Sequence, residues 1–313
     1  MKENLLALST TEFIQKIKEN NILKFHFVFD RNSKTVKCSH SFFAEIKQYF
    51  NNDLIDFEEH EAMFFKLSSK YDMLMGAFIH RTNRGQAAGG VRYWSYDNVH
   101  DYFNDGMRLA KGMTHKNTLA GLWWGGGKGI IAHNPNYDKN DKSIREFIYK
   151  EYGAFLTELN GCYVTAEDVG TSVEDMKNIF SNTRFTTCIP NSKGGSGNPS
   201  VPTAKGVVAG MEAALDFIGD KSLEGKTIAV QGLGHVATPL IKYLFKKNVK
   251  KIIACDIFHD VVEKAKIEFK NFNFQARLVD KNDVSIIAED CDILAPCATG
   301  AILNPKTIPN IKA

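Results

Sequence analysis

The spacing of hydrophobic residues in the first half of the chain predicts helices mixed with strands. Phe103, Met107, Ala110 and Met113 recur every three or four positions, which is typical of an amphipathic helix over residues 101–116. Other helices are expected over residues 143–159 and, capped by Thr10 or Thr11, through residues 13–17. Apolar runs bounded by polar turns predict strands at residues 25–29, 63–67, 73–80, 130–132 and 163–165.

In the second half the pattern becomes a regular alternation of strand and helix. A Gly/Ser/Pro-rich stretch at residues 191–202 predicts a domain boundary, and a helix is expected over residues 203–218. Strands are predicted at residues 227–231, 251–255, 276–279 and 292–295, with helical patterns or a short segment at 283–288 between them. Such alternation implies an α/β fold with a parallel sheet and crossover helices.

Composition narrows the class of protein. The 313 residues are 43% hydrophobic and 24% charged, which is the balance of a globular protein and excludes disorder. A net charge of +3 gives no reason to expect a nucleic-acid or membrane partner. The six cysteines are scattered, and no zinc spacing or HExxH motif occurs, so we expect no disulfide framework and no metal. A reducing cytoplasm is the expected compartment.

One glycine motif follows the strand predicted at residues 227–231. Gly232, Gly234 and Ala237 fit the GxGxxG/A pattern, and the motif opens a helix whose free N–H groups favour a pyrophosphate. Asp256 ends the next strand, 24 residues after Gly232, where an acid accepts ribose hydroxyls and repels a 2′-phosphate. The pattern predicts a dinucleotide site that prefers NAD, although an ordinary tight turn with a solvated Asp256 would have the same sequence.

A second glycine-rich stretch surrounds Lys128. We expect residues 121–129 to form a turn, which is not a triphosphate-binding loop because Leu122 and Gly129 break that motif. Glycines on both sides would partly desolvate the Lys128 amine and lower its pKa toward that of a general base. Lys116 lies twelve residues before Lys128, at the end of the amphipathic helix. Its positive charge could lower the pKa of Lys128 further, or it could hold a carboxylate. Taken alone, two lysines on loops are more typical of a protein surface than of an active site.

A third set of candidates follows the strand at residues 163–165. Asp168, after Glu167, occupies a common position for a catalytic carboxylate, just past a strand end. The same position suits an acid that caps the helical segment 172–180, and both interpretations remain open. His115 is expected to pack or cap.

Together these stretches resemble the amino-acid dehydrogenases for glutamate, leucine, phenylalanine and valine, and within that family the leucine dehydrogenase branch. The matching stretches are residues 89–92 (GGVR), 109–117 (LAKGMTHKN), 120–128 (AGLWWGGGK), 165–171 (TAEDVGT), 196–199 (SGNP), 230–234 (VQGLG) and 295–298 (APCA). The resemblance implies an N-terminal α/β substrate domain followed by a Rossmann domain, and a reversible NAD-dependent oxidative deamination of an L-amino acid to a 2-oxo acid and ammonia.

The resemblance also implies roles for single residues. Lys128 would be the general base that activates water, Asp168 would handle the amine and ammonia protons, and Lys116 would bind the substrate carboxylate. The remaining positions with implied contacts are Gly89 and Gly90 on the substrate side, and Thr203, Cys297 and Ala298 at the nicotinamide end.

Side-chain specificity is implied by two positions of the substrate pocket. Ala88 precedes the double glycine and Ala166 precedes the Glu-Asp pair, and neither is the lysine that would bind a side-chain carboxylate. An apolar, branched-chain type of amino acid is therefore expected, with room for an aromatic one. Trp123 and Trp124 depart from the usual residues of the family, and we expect them to be packing residues.

The resemblance predicts three segments: an N-terminal extension at residues 1–56, a substrate-binding domain at 57–200 and an NAD domain at 201–313. A complete dinucleotide domain has six strands, and only four are predicted after residue 227, so the last domain is expected to be incomplete. A homo-oligomer is implied by the family. An inactive relative that serves as a binding or assembly subunit is the alternative.

Overall fold

The computed structural model describes residues 4–53, 55–220, 222–298, 300 and 302–313, and they form two units. The first unit comprises residues 1–198 and the second residues 199–313. The segment at residues 1–56 adds strands and helices to the first unit instead of standing apart from it. The boundary at residue 198 lies inside the Gly/Ser/Pro-rich stretch.

The first unit is an eight-stranded mixed sheet with helices. Its strands are β1 (Lys24–Asp30), β2 (Thr35–Cys38), β3 (Ala62–Leu67), β4 (Leu74–Arg81), β5 (Ala87–Ala88), β6 (Val91–Trp94), β7 (Gly125–Ala132) and β8 (Tyr163–Val164). Its helices are α1 (Thr10–Glu19), α2 (Ala44–Asn52), α3 (Val99–Leu119), α4 (Lys142–Glu158) and α5 (Val173–Phe180). Helix α1 is capped by Ser9, one residue before the expected cap, because Ser9 and Glu12 form a reciprocal capping box.

Strand β7 lies in the interior of this sheet, whose order is β2-β1-β3-β4-β7-β5-β8. On one side β7 pairs with β4 in antiparallel orientation, and on the other it pairs with β5 and then β6 in parallel. All eight residues of β7 are buried. The strand has partners on both sides and every residue of it is buried, which places Lys128 inside the sheet.

The glycines before Lys128 therefore form a strand, and the prediction of a turn over residues 121–129 was wrong for Gly125–Gly129. A glycine run has low intrinsic strand preference, but close packing overrides it here. A Cβ atom on Gly126 would lie 2.0 Å from the Thr114 hydroxyl and 2.6 Å from the Ala110 carbonyl oxygen, both on α3. The missing side chains allow α3 to lie directly against the sheet.

Strands β5 and β6 both pair with β7 and are two parts of one extended segment, interrupted by Gly89 and Gly90. At this break the chain runs very close to its neighbours. A Cβ atom on Gly89 would lie 1.9 Å from the Gly127 carbonyl oxygen, and one on Gly90 would lie 2.7 Å from Cβ of Asp168. The double glycine is thus required by the close approach of β7 on one side and the end of β8 on the other.

Two apolar clusters lie on the faces of this sheet. One is formed by the N-terminal helices and α3 against β1, β3 and β4, and it is rich in stacked phenylalanines such as Phe25, Phe43 and Phe65. The other contains residues of α4 and α5, including Tyr149, Tyr152 and Ile179. The residues predicted as an N-terminal extension therefore contribute to a core that they share with β3, β4 and α3.

The second unit has the predicted parallel sheet. Its strands are β9 (Thr227–Gln231), β10 (Lys251–Asp256), β11 (Phe274–Leu278) and β12 (Ile293–Pro296), in the order β11-β10-β9-β12. Its helices are α6 (Ser200–Phe217), α7 (Ala237–Lys246) and α8 (His259–Glu268), and a 3₁₀ turn at Ser285–Ala288 stands where a short segment was expected. Every strand pair is parallel, as the alternating pattern predicts.

Among the residues that the structure describes, no helix is long and apolar enough to cross a bilayer.

The close packing of β7 against α3 can be tested at Gly126. We expect Gly126→Ala to lower the free energy of unfolding by about 2–3 kcal/mol, because the new Cβ overlaps backbone atoms of α3. Gly112→Ala is the matched control, since no atom lies within 4 Å of its new Cβ and it lies inside α3. That control should raise the stability by up to about 1 kcal/mol. Urea unfolding followed by circular dichroism measures both, and equal effects would contradict the packing argument.

Candidate active site

Lys128 lies in β7 with only 4% of its surface exposed. Its ammonium nitrogen is 2.6 Å from Oδ2 of Asp168, the residue that follows β8 and Glu167. Because β7 and β8 flank β5, and Gly89 and Gly90 continue β5 without side chains, the two functional groups meet beside the double glycine. The structure thus brings together two of the residues that the sequence singled out.

Asp168 is held by its backbone as well as by its side chain. Its N–H donates to the Thr171 hydroxyl at 2.8 Å, and its carbonyl oxygen accepts the Thr171 N–H at 3.0 Å. The capping function that the sequence left open belongs to other residues, since Ser172 and Asp175 form the capping box of α5. The Asp168 carboxylate is therefore available to Lys128.

Burial and charge shift both members of the pair. Burial lowers the pKa of Lys128, and the negative charge of Asp168 opposes this shift only in part. Burial acts to raise the pKa of Asp168, but the positive charges of Lys128 and Arg92 outweigh it and hold that pKa below its usual value. The result is an ionised carboxylate beside an amine that releases its proton more easily than a surface lysine does.

Arg92 and Asp105 are site residues that sequence reasoning missed. The Arg92 Nε atom donates to Oδ2 of Asp168 at 3.2 Å, while Nη1 donates to both oxygens of Asp105 at 2.8 and 2.9 Å. Tyr96 also donates to Asp105, at 2.6 Å. The sequence did contain a sign of this role: Arg92 stands between the apolar residues Val91 and Tyr93, both of which are buried. An unpaired arginine there would be costly, so a carboxylate partner could have been expected.

Lys116 does not have the position expected of a second cation beside Lys128. It lies in the last turn of α3 and is exposed, and the cation that lowers the pKa of Lys128 is Arg92. The next residue, Asn117, is buried and donates to the carbonyl oxygens of Gly125 and Ala88 at 2.6 and 3.5 Å. These bonds fix the end of α3, and with it the position of Lys116, against β5 and β7.

The expected packing role of Trp123 and Trp124 was wrong for Trp123, which is 79% exposed; Trp124 is 39% exposed. The Arg84 guanidinium lies over the Trp123 ring, 5.1 Å from its centroid, and its Nε donates to the Leu122 carbonyl oxygen. The two indoles belong to the short loop between α3 and β7.

Ala88 and Ala166, the two expected specificity positions, lie on neighbouring chain segments. Ala88 is buried in β5 and Ala166 is partly buried just after β8, whose strand pairs directly with β5. Gly89 and Gly90 follow Ala88, and Val91 N–H donates to the Ala166 carbonyl oxygen at 2.8 Å. The small side chains therefore flank the segment that approaches Lys128 and Asp168.

In the second unit the glycine motif joins β9 to α7. Gly232 has a φ of 86°, and a Cβ there would lie 2.9 Å from Cβ of Ala298, so the position requires glycine. Gly234 faces open space, and Ala237 is the first, buried residue of α7. No side chain caps the first turn of α7. The Thr238 N–H donates to the Gly234 carbonyl oxygen at 3.1 Å and Pro239 has no N–H, so an anion would meet the N–H groups that precede Thr238.

Asp256 ends β10 beside this motif. Its Oδ2 accepts the Leu233 N–H at 2.8 Å, and its Oδ1 accepts the Phe258 N–H at 3.0 Å. The carboxylate is therefore fixed at the carboxyl edge of the sheet, next to the glycine loop. This is the position in which an acid meets the ribose of a dinucleotide.

The remaining cofactor candidates also lie in the second unit. Thr203 is in the first turn of α6, exposed, and its hydroxyl donates to the Pro199 carbonyl oxygen at 2.7 Å. Cys297 follows β12, and its N–H donates to the Gln231 carbonyl oxygen at 2.9 Å, which places Ala298 against Gly232. Within the ranges that the structure describes, no three His, Cys, Asp or Glu side chains are arranged to hold a metal ion.

The Lys128–Asp168 pair makes a prediction about stability and pH. In Asp168→Asn, Lys128 stays buried beside Arg92 and loses the carboxylate that contacts it, so we expect a loss of about 3–5 kcal/mol near neutral pH. A lysine whose folded pKa is below its unfolded value binds fewer protons when folded, so stability should rise with pH between those two values. Urea midpoints measured from pH 7 to 10 should rise more steeply in the variant than in the wild type. A parallel pair of curves would contradict this account.

Two family models match the chain over most of its length. The "Glu/Leu/Phe/Val dehydrogenase, dimerisation domain" matches residues 67–185, and "Glutamate/Leucine/Phenylalanine/Valine dehydrogenase" matches residues 194–313. Leucine dehydrogenase of Geobacillus stearothermophilus is 48% identical over 236 residues, which are 75% of this chain and 61% of that enzyme. Leucine dehydrogenase of Bacillus subtilis is 45% identical over 263 residues, 80% of this chain and 69% of that enzyme.

The solved structures agree with the sequence comparison. L-tryptophan dehydrogenase from Nostoc punctiforme superposes with a TM-score of 0.56 and 32% identity, over 81% of this chain and 68% of that one. The chain spans less than two thirds of the length of the Geobacillus enzyme. With the fold and these matches, the chain belongs to the glutamate/leucine/phenylalanine/valine dehydrogenase family.

Proposed function

We propose that the protein catalyses the reversible NAD-dependent oxidative deamination of an apolar, branched-chain type L-amino acid, giving a 2-oxo acid, ammonia and NADH. The observation that carries the proposal is the buried Lys128–Asp168 pair beside Gly89 and Gly90. A lysine with a lowered pKa next to an ionised acid is the combination that moves protons at an amine and activates water. The identity of 45–48% to two leucine dehydrogenases supports the same reaction.

Each of three residues has one task in this reaction. Lys116, exposed at the end of α3, binds the substrate carboxylate with its ammonium group. Asp168 takes a proton from the substrate amine and returns one to the departing ammonia. Lys128, once deprotonated, removes a proton from the water that attacks the substrate imine. The backbone at Gly89 and Gly90 lets the substrate come close to both groups because no side chain stands there.

The residues of the second unit fit a dinucleotide. The left-handed Gly232, the open space at Gly234 and the start of α7 at Ala237 suit the close approach of a pyrophosphate, and Asp256 suits the ribose. A carboxylate at this place repels the extra phosphate of NADP, so we assign NAD. When bound, the nicotinamide ring supplies the acceptor for the hydride on the substrate Cα. Thr203, Cys297 and Ala298 are assigned to the nicotinamide end.

The choice of an apolar substrate rests on Ala88 and Ala166. Both are small, uncharged and adjacent to the double glycine, so they leave room for a hydrocarbon side chain and offer nothing to a side-chain carboxylate. We further propose that the protein is a cytoplasmic homo-oligomer. The match of residues 67–185 to a dimerisation domain supports self-association, and the six scattered cysteines, all free, suit a reducing compartment.

The base can be tested with Lys128→Ala. We expect NADH formation from leucine to fall at least about 1,000-fold, because the variant has no group to activate water. NAD binding, measured by calorimetry, should be unchanged, since Lys128 belongs to the first unit and the glycine motif to the second. Lys150→Ala is the control, an exposed lysine of the same unit whose partner is Glu146. Turnover retained in Lys128→Ala would refute the assignment.

The cofactor assignment can be tested with Asp256→Ser. Removing the negative charge should weaken NAD binding and improve NADP binding, shifting the ratio of the two dissociation constants by about 10-fold or more toward NADP. Asp260→Ser, an exposed acid in the first turn of α8, is the control. Fluorescence titration with NADH and NADPH gives both constants, and an unchanged ratio would show that Asp256 only supports the loop through the Leu233 and Phe258 N–H groups.

A further inference from the structure

Two cations meet the same oxygen of Asp168. The Lys128 ammonium lies 2.6 Å and the Arg92 Nε 3.2 Å from Oδ2. Among the residues that the structure describes, none donates a hydrogen bond to the Asp168 Oδ1 atom. The carboxylate is therefore asymmetric: one oxygen is shared by Lys128 and Arg92, and the other remains available to a substrate amine.

The guanidinium of Arg92 is also held on the side away from Asp168. Its Nη1 atom donates to both oxygens of Asp105 on α3, and Tyr96 donates to the same carboxylate. Arg92 is paired on two sides, so its planar group cannot rotate away from Asp168 without breaking a charge-assisted bond. The chain of contacts runs from Tyr96 through Asp105 and Arg92 to Asp168 and Lys128.

We propose that Arg92 is a positioning residue of the active site: anchored on Asp105, it turns Asp168 so that Oδ2 faces both cations and Oδ1 faces the substrate, and it places a second positive charge near Lys128. This inference rests on the proposed deamination for its catalytic consequence. The arrangement of the ions themselves is independent of which substrate is used.

The charged groups around Lys128 act with opposite signs. Arg92 lowers the pKa of Lys128, whereas Asp168 and Asp105 raise it. Two tyrosine hydroxyls, those of Tyr152 and Tyr163, lie near the neighbouring Gly129.

Both tyrosines remain neutral over the working range, because burial raises the pKa of each. Arg92 is therefore the group whose positive charge helps Lys128 to lose its proton while Asp168 stays ionised. Without Arg92, Asp168 would hold the Lys128 proton more firmly.

The test measures Lys128 directly. The protein is produced with lysine labelled with ¹³C at Cε, and the Lys128 resonance is identified by its loss in Lys128→Arg. Its titration midpoint is then followed by NMR. In Arg92→Gln, which removes the charge, we expect the midpoint to rise by about one pH unit. In Asp105→Asn, which removes a negative charge, we expect it to fall.

Two further variants separate charge from structure. Arg92→Lys keeps the positive charge, so its Lys128 midpoint should stay close to that of the wild type. Arg145→Gln breaks another arginine–aspartate pair of the first unit, with Asp175, and should reduce stability without moving the Lys128 midpoint. Circular dichroism verifies that each variant is folded. If Arg92→Gln does not fold, Arg92→Met, which also removes the charge and keeps a long side chain, takes its place, with the same upward shift expected.

Enzyme kinetics provide the second measurement. The acidic limb of the pH profile of kcat for leucine should move upward in Arg92→Gln by the same amount as the NMR midpoint, and kcat below that limb should fall about 10-fold. KM for leucine should change little, because Arg92 acts through Asp168.

The outcomes distinguish the two proposals. An unmoved midpoint in Arg92→Gln, an upward or absent shift in Asp105→Asn, or an equal shift in Arg92→Lys would overturn the role of Arg92, whatever the activity. If the midpoints move as expected but the wild-type chain forms no NADH from leucine, valine or phenylalanine, the role of Arg92 in the ion network stands and the proposed function fails.

Discussion

A lysine side chain in the interior of a sheet is the constraint on which the first unit depends. Lys128 lies on a strand that is paired on both sides, and an ammonium group there is stable only beside a carboxylate. Asp168 can reach it only because Gly89 and Gly90 leave no side chain between the two segments. The glycines of β7 and the interruption between β5 and β6 thus have one common effect: they bring β7, α3 and the segment after β8 close together.

The charges around this pair are balanced by more than one partner. Asp168 accepts from Lys128 and Arg92, and Arg92 is shared with Asp105. Burying any one of these charged groups without a partner would cost free energy. Because positive and negative groups alternate along the network, each has an oppositely charged neighbour. Helix α3 contributes to this network as well as to the core, because Asp105 belongs to the helix whose apolar residues pack on the sheet.

Much of the architecture could be predicted from the chain. The α/β class, the four parallel strands after residue 227 and the amphipathic helix that ends near Lys116 follow from periodicity, which reports burial directly. The meeting of Lys128 and Asp168 required the family resemblance, because 40 residues separate them and no local pattern joins them. Residues 125–129 were wrongly predicted as a turn because glycine favours turns in isolation. In the structure they form a strand, since only glycine leaves enough space for the neighbouring α3 and β5 segments. Arg92 was missed because its partners, Asp105 and Asp168, come from two other elements.

The enclosure of β7 has a consequence for motion. Amide groups in a strand that is paired along both edges exchange with solvent only when the sheet itself opens, which is among the rarest of the local opening events in a domain. Lys128 therefore belongs to a segment that we expect to exchange its amide protons slowly. Lys116 lies in the last turn of a helix, next to a loop with an exposed indole. The exposed Lys116 side chain can therefore change conformation at the surface while the buried Lys128–Asp168 pair stays fixed.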